Sequence, residues 1–162
     1  MNYCEENVET CKFIEINGVK LCVFTNGHIY RVMPNGDMKY NKGTNSNGYL
    51  RIVINNKSYF HHRIIYYAFK GFDIENISIE IDHINRIRND NIIENLRTAT
   101  SQQNHFNMTA KGYSWNKHIK KWESYIKVNG KKTNLGYFEN EKDARNAYLT
   151  AKEKYHIIPD NI

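Results

Sequence analysis

The chain is poor in cysteine, and its cysteines form no framework. Cys4, Cys11 and Cys22 are an odd number, none lies in a Cys-x-x-Cys pair, and all sit near the start. That count and spacing argue against a disulfide scaffold and against a four-ligand zinc site. Free thiols in a reducing compartment are the expectation. No apolar run approaches the ~20 residues that a bilayer-crossing helix needs. The opening MNYCEENVETCK is acidic and polar, unlike a secretory leader. The sequence thus predicts a soluble intracellular protein without a membrane partner.

What is present is enough for a packed core: 40% hydrophobic and 13% aromatic residues argue against global disorder. A length of 162 residues allows one domain or two small ones. The formal charge is +6, and the excess falls entirely between Thr109 and His156, where it is interleaved with aromatics. A polyanionic partner is therefore sought in the last third.

Residues 1–12 read as a loose lead-in. From Phe13 to Phe60 short β-rich runs (Lys20–Thr25, Ile29–Met33, Tyr49–Asn55, Ser58–Phe60) alternate with turn pairs. Asn17-Gly18, Asn26-Gly27, Asn35-Gly36 and Asn47-Gly48 suit type I′ turns, which need positive φ at both central residues. This predicts an antiparallel meander. His61 to Phe69 places residues 61, 64, 65 and 68 on one face of a short helix, stopped by Gly71. His61 and His62 are assigned to packing and solvation, outside the catalytic set. Strands are expected near Ile79–His83, ending the alternation Ile77, Ile79, Ile81, and again at Ile92-Ile93. A helix beginning near Thr98 to Thr100 would carry Gln102, Gln103 and Asn104, with a Thr or Ser at its N-cap.

The stretch Ile81 to Asn107, IDHINRIRNDNIIENLRTATSQQNHFN, carries the chemistry. Asp82 and His83 are adjacent, Asn95 follows in Glu94-Asn95-Leu96-Arg97, and Asn104 comes after it. A carboxylate and an amide oxygen suit one hard cation. Such an ion polarises a phosphoryl group and stabilises a leaving oxygen. An imidazole with an ordinary pKa of roughly 6.5 can take a proton from water.

These residues resemble the HNH nuclease family, in the branch found in phage and intron homing endonucleases. The resemblance implies Asp82 and Asn104 as metal ligands, His83 as general base, and Asn95 as the residue orienting the loop and His83. The third family position is often His; here it is Asn104, with His105 one residue off, giving an H-N-N variant. The family's common Asp-Gly-Asn turn is replaced by Asn85-Arg86. Arg88 and Arg97 rank second: either would sit near substrate phosphates or equally serve as a surface salt-bridge partner.

Residues 109–162 read as a second domain. Strands are expected at Gly112–Lys117, Lys121–Val128 and Lys132–Phe138, with a turn at Asn129-Gly130. A helix follows from Glu139 to His156, with Ala144, Ala147, Tyr148 and Ala151 on one face. This unit is similar to the Apetala-two (ethylene-response) type of DNA-binding domain. That likeness implies Ser114, Asn116, Lys121, Tyr125, Lys127 and Asn134 facing DNA. Lys117, Lys120, Lys131 and Lys132 would meet phosphates, with Trp115 and Trp122 structural.

The expectation is therefore an α+β protein. N-terminal antiparallel hairpins lead into a ββα-metal module over residues 13–108, and a three-stranded antiparallel sheet packed on one helix fills 109–162. The expected activity is hydrolysis of DNA phosphodiester bonds, of the site-directed nicking or homing type, with Mg²⁺ or Mn²⁺ as cofactor and double-stranded DNA as partner. A monomer is the natural state, with dimerisation left open. The rivals are a regulator that binds DNA without cutting and an RNA-binding protein using the basic sheet.

Overall fold

The computed structural model describes residues 10–156. Of the lead-in expected at residues 1–12, residues 1–9, Cys4 included, lie outside them. The chain divides into two compact units, residues 1–98 and 99–162, earlier than the expected boundary at 108/109. No helix among the described residues is long and apolar enough to cross a membrane.

The first unit opens with a four-stranded antiparallel meander of β1 (Cys11–Ile16), β2 (Val19–Phe24), β3 (Ile29–Val32) and β4 (Met38–Tyr40). Cys11 thus pairs in a strand and does not belong to the lead-in. A second antiparallel sheet follows: β5 (Thr44–Ser46), β6 (Tyr49–Ile54) and β7 (Lys57–Phe60). The turn pairs Asn17-Gly18 and Asn47-Gly48 have positive φ at both residues, as does Asn55-Asn56 between β6 and β7. At Asn26-Gly27 and Asn35-Gly36 only the glycine does, so type I′ does not apply there. Each of these asparagines instead accepts a backbone hydrogen bond two residues on, from His28 and Asp37, leaving glycine the left-handed position.

Helix α1 (His61–Lys70) follows β7 directly and turns Ile64 and Ile65, both fully buried, into the core. Full burial of one such side chain stabilises by about 1.5–3 kcal/mol. The helix ends at Gly71, φ 69°, whose N–H donates to Tyr67 O. The core joins Leu21, Val23 and Ile29 of the meander to Ile52 and Ile54 of β6, to α1, and to Ile81, Ile93 and Leu96.

The alternation Ile77, Ile79, Ile81 does not make one strand. Ile77 is 90% exposed, and β8 is only Glu80–His83. Residues 72–79 form a loop that Arg63 of α1 clamps, donating to the carbonyls of Ile74, Asn76 and Ile79. The return strand is also displaced. Ile93–Asn95 form a 3-10 turn in which the Ile93 N–H donates to Thr25 O in the turn between β2 and β3, and the partner of β8 is β9 (Leu96–Ala99).

The second unit begins with α2 (Ser101–Asn107), capped as expected: the Thr100 side chain accepts from the Gln103 N–H and the Gln103 side chain answers at Thr100. Strands β10 (Tyr113–Asn116), β11 (Lys121–Val128) and β12 (Lys131–Phe138) form an antiparallel sheet under α3 (Glu141–Tyr155). Ala144, Tyr148 and Ala151 of α3 are buried, with Ser124 and Ile126 of β11 beneath. Gly112, φ 70°, lies under the Tyr148 ring so closely that a Cβ there would stand 1.9 Å from its Cδ2.

Candidate functional site

Asp82 and His83 close β8 and are 6% and 4% exposed, unusual for ionisable groups. Buried Ile81 anchors the strand from below, and the Arg63 clamp on Ile79 O fixes its entry. The His83 ring stands edge-on to His62 (5.1 Å) and tilted to Tyr49 (5.8 Å). Its Nε2 lies 3.0 Å from Asn91 Oδ1. Burial lowers the His83 pKa, while Asn91, Asp82 and Asp90 act in the opposite sense. The imidazole is thereby held neutral at physiological pH, the form that can accept a proton.

Asn95 organises the loop that follows the imidazole. Its Oδ1 accepts from the Asn85 N–H (2.9 Å), and its Nδ2 donates to Asn85 Oδ1 (3.0 Å) and Asp90 O (2.7 Å). Asn85 Nδ2 in turn donates to Asp90 Oδ2, and the Ile84 N–H reaches Asn95 O. The ring itself is met by Asn91, a residue that sequence reasoning placed only among the loop asparagines. Asn91 is 4% exposed and backed by Gly27, where a Cβ would come within 2.9 Å of the Asn91 carbonyl carbon. Nothing in the sequence signals that the β2–β3 turn reaches this loop. At the turn's centre Arg86 takes φ 67°, the left-handed position that glycine fills most easily.

Arg97 of β9 donates through Nε (3.1 Å) and a terminal nitrogen (2.9 Å) to the same oxygen, Asp82 Oδ2. Both side chains are largely buried, 12% and 7% exposed. Of the two expectations for Arg97, a substrate phosphate or a salt bridge, the folded chain shows an ion pair, buried and not at the surface. Arg88 instead covers the Tyr49 ring at 5.0 Å and donates to Asn47 O. No group of three His, Cys, Asp or Glu among the described residues could hold a metal. Asp82 offers carboxylate oxygens, donors of the kind that a hard ion such as Mg²⁺ takes and a soft one does not. Asn104 rides α2, in the second unit.

His61 and His62 are buried, with His61 Nε2 and His62 Nδ1 lacking hydrogen-bond partners. Burial pushes the His61 pKa down to about 4. For His62 burial, then the charges of His83, Arg63 and His61, push it to about 3. Both are neutral packing groups, and the His62 ring packs against that of His83.

In the second unit the strand register gathers the expected DNA-facing residues. Ser114 lies opposite Glu123, Asn116 opposite Lys121, Tyr125 opposite Asn134 and Lys127 opposite Lys132, on the face turned away from buried Ser124 and Ile126. A register shift at Ser124/Tyr125, beside Gly136, keeps Asn134 on that face. Lys132 belongs to the face itself, not to its rim: its Nζ is 3.0 Å from Glu123 Oε1 and 3.9 Å above the Tyr125 ring. Lys121 pairs with Glu139 at 2.7 Å. Lys117 and Lys120 occupy the β10–β11 turn, and Lys131 opens β12 after Asn129-Gly130. Trp115 and Trp122 pack edge-to-face at 5.4 Å, although Trp115 is 45% exposed.

Cationic surface is not confined to the last third. In the first unit a cavity of about 390 Å³ is lined by Arg31, Lys39, Tyr40, Asn41, Lys42, Gly43 and Thr44, with no carboxylate. The zero net charge of this part of the chain conceals it, because averaging along sequence ignores which charges the hairpins bring together.

Residues 59–106 match the family model described as HNH endonuclease, a span that contains Asp82, His83, Asn95 and Asn104 together with α1. Among solved structures, the chain is similar to one titled DNA binding and cleavage by the HNH homing endonuclease I-HmuI. The identity is 16%, the coverage 88% of this chain and 86% of that one, and the TM-score 0.40. No curated protein matches the chain.

Proposed function

We propose that this chain is a metal-dependent DNA endonuclease, of the site-directed nicking or homing type. The observation that carries the reading is the buried Asp82-His83 pair at the end of β8, with His83 held by Asn91 inside the segment matching the HNH endonuclease model.

His83, its Nε2 held at 3.0 Å by Asn91 Oδ1, takes a proton from water as that water attacks phosphorus. Asn95 keeps the loop, and with it Asn91, in place for this. Asp82 and Asn104 would be the oxygen donors for a divalent ion, Mg²⁺ or Mn²⁺. When bound, that ion supplies Lewis acidity at the phosphoryl oxygen and charge for the leaving oxygen. One such centre per chain suits a monomer that nicks one strand.

The free face of the second sheet, of the Apetala-two kind, is the proposed reader of duplex DNA. Ser114, Asn116, Lys121, Tyr125, Lys127, Lys132 and Asn134 would address the groove, where base edges can be told apart. Lys117, Lys120 and Lys131 would meet phosphates, which position without specifying sequence. The cavity at Arg31, Lys39 and Lys42 is a further seat for the backbone.

The test is conversion of supercoiled plasmid to open circle in Mg²⁺ and in EDTA, with His83→Ala beside the wild type. Cutting in Mg²⁺ alone is expected, abolished by His83→Ala with DNA affinity nearly intact. Binding without cutting in any divalent ion would leave a DNA-binding regulator instead.

A further inference from the structure

Asp82 carries the buried negative charge of the site, and it already has a cation. Arg97 spends two donors on one oxygen of that carboxylate, and the pair is almost closed to water. Such a fork fixes the carboxylate's position more firmly than one hydrogen bond would. Breaking it leaves an uncompensated buried charge, so the pair persists in the DNA-free chain. A divalent ion coming onto Asp82 would stand within a few ångströms of the guanidinium, where like charges in a poorly solvated site repel strongly.

We propose that Arg97 is the resident counter-ion of Asp82, competing with the divalent ion, so that the DNA-free chain holds metal weakly. This rests on the reading of Asp82 as a metal ligand and adds how its loading is controlled. Guanidinium groups bind phosphate oxygens in the same forked manner as carboxylates. An arriving phosphodiester therefore gives Arg97 a second partner and frees the Asp82 oxygen. Metal occupancy then follows substrate binding, and a chain without DNA carries little hydrolytic potential. Arg97 is in this sense a positioning residue: it acts through Asp82 and through the charge it moves.

The experiment is Mn²⁺ titration of the full chain without DNA, followed by the electron paramagnetic resonance signal of free Mn²⁺. Arg97→Gln is expected to tighten the dissociation constant about tenfold or more, and Arg97→Lys, which keeps the charge, to leave it near wild type. Arg97→Met, which keeps the packed stem, serves if Arg97→Gln does not fold by circular dichroism. Added random-sequence duplex DNA should tighten Mn²⁺ for the wild type more than for Arg97→Gln, after subtracting what Asp82→Asn binds under the same conditions. A purely structural Arg97 predicts the opposite, weaker Mn²⁺ in Arg97→Gln. That result, unchanged affinity, or an equal gain from DNA in both proteins overturns the inference while leaving the nuclease reading standing. If Asp82→Asn binds Mn²⁺ as the wild type does, Asp82 is no ligand, and the inference and the assigned metal site fall together.

Discussion

Replacing Asn91 tests the chain of reasoning from fold to chemistry at its narrowest point. Asn91→Leu keeps the bulk against Gly27 but leaves the buried His83 Nε2–H without its acceptor at 3.0 Å. An unmet buried donor costs about 1–3 kcal/mol. The ring can recover part of that only by turning away or by changing tautomer, and either response misplaces the base. With about 1.4 kcal/mol per factor of ten, single-turnover plasmid nicking should slow roughly ten- to hundredfold while DNA affinity holds. Asn91→Asp keeps shape and acceptor but adds a negative charge beside the ring, which raises the His83 pKa. In the wild type burial lowers that pKa, so activity should persist below pH 6.5 before the base protonates. The Asn91→Asp acid limb should move to higher pH, with near-wild-type rate restored above it. Nicking by Asn91→Leu at the wild-type rate, or an acid limb indifferent to Asn91→Asp, would refute the role given to this contact.

Acid should destabilise the first unit before its carboxylates titrate. His61 and His62 have folded pKa values pushed to about 4 and about 3, below the unfolded 6.5. As pH falls below 6.5 the unfolded chain takes protons that the folded chain refuses. Stability then drops by about 1.4 kcal/mol per pH unit per histidine until the folded values are reached. Urea midpoints at pH 7 and pH 5 measure the loss, and His61→Gln should shrink it. Gly112→Ala should cost about 2–4 kcal/mol through overlap with Tyr148 and a positive φ, read by urea unfolding with tryptophan fluorescence. Combined with Tyr148→Leu it should cost less than the sum of the two single changes. Lys127→Ala, on the exposed face of β11, should weaken DNA binding across sequences and flatten the salt dependence by about one ion; an unchanged slope removes Lys127 from the contacts.

Local patterns were legible where local physics decides. The turn at Asn129-Gly130, the strand Lys121–Val128 and the stop at Gly71 follow from residues that make their own geometry. Legibility failed where distant partners competed for the backbone. Ile77 and Ile79 alternate like a strand, yet Arg63 holds that segment as a loop through its carbonyls. Ile92-Ile93 look like a return strand, but Thr25 captures the Ile93 N–H and passes the pairing on to Leu96.

The same division runs through the candidate site. By itself the sequence determined which groups exist and in what order, Asp82 beside His83 with asparagines returning after them, because residue identity and spacing are local facts. It also determined the alternation that sets Ser114, Lys121 and Lys127 on one side of a sheet. Only the tertiary structure decided that Asn91 meets the imidazole, that Arg97 neutralises Asp82, and that Arg31, Lys39 and Lys42 share a cavity. Those are matters of burial and of charge brought close through space, and both arise only once the core has closed around them.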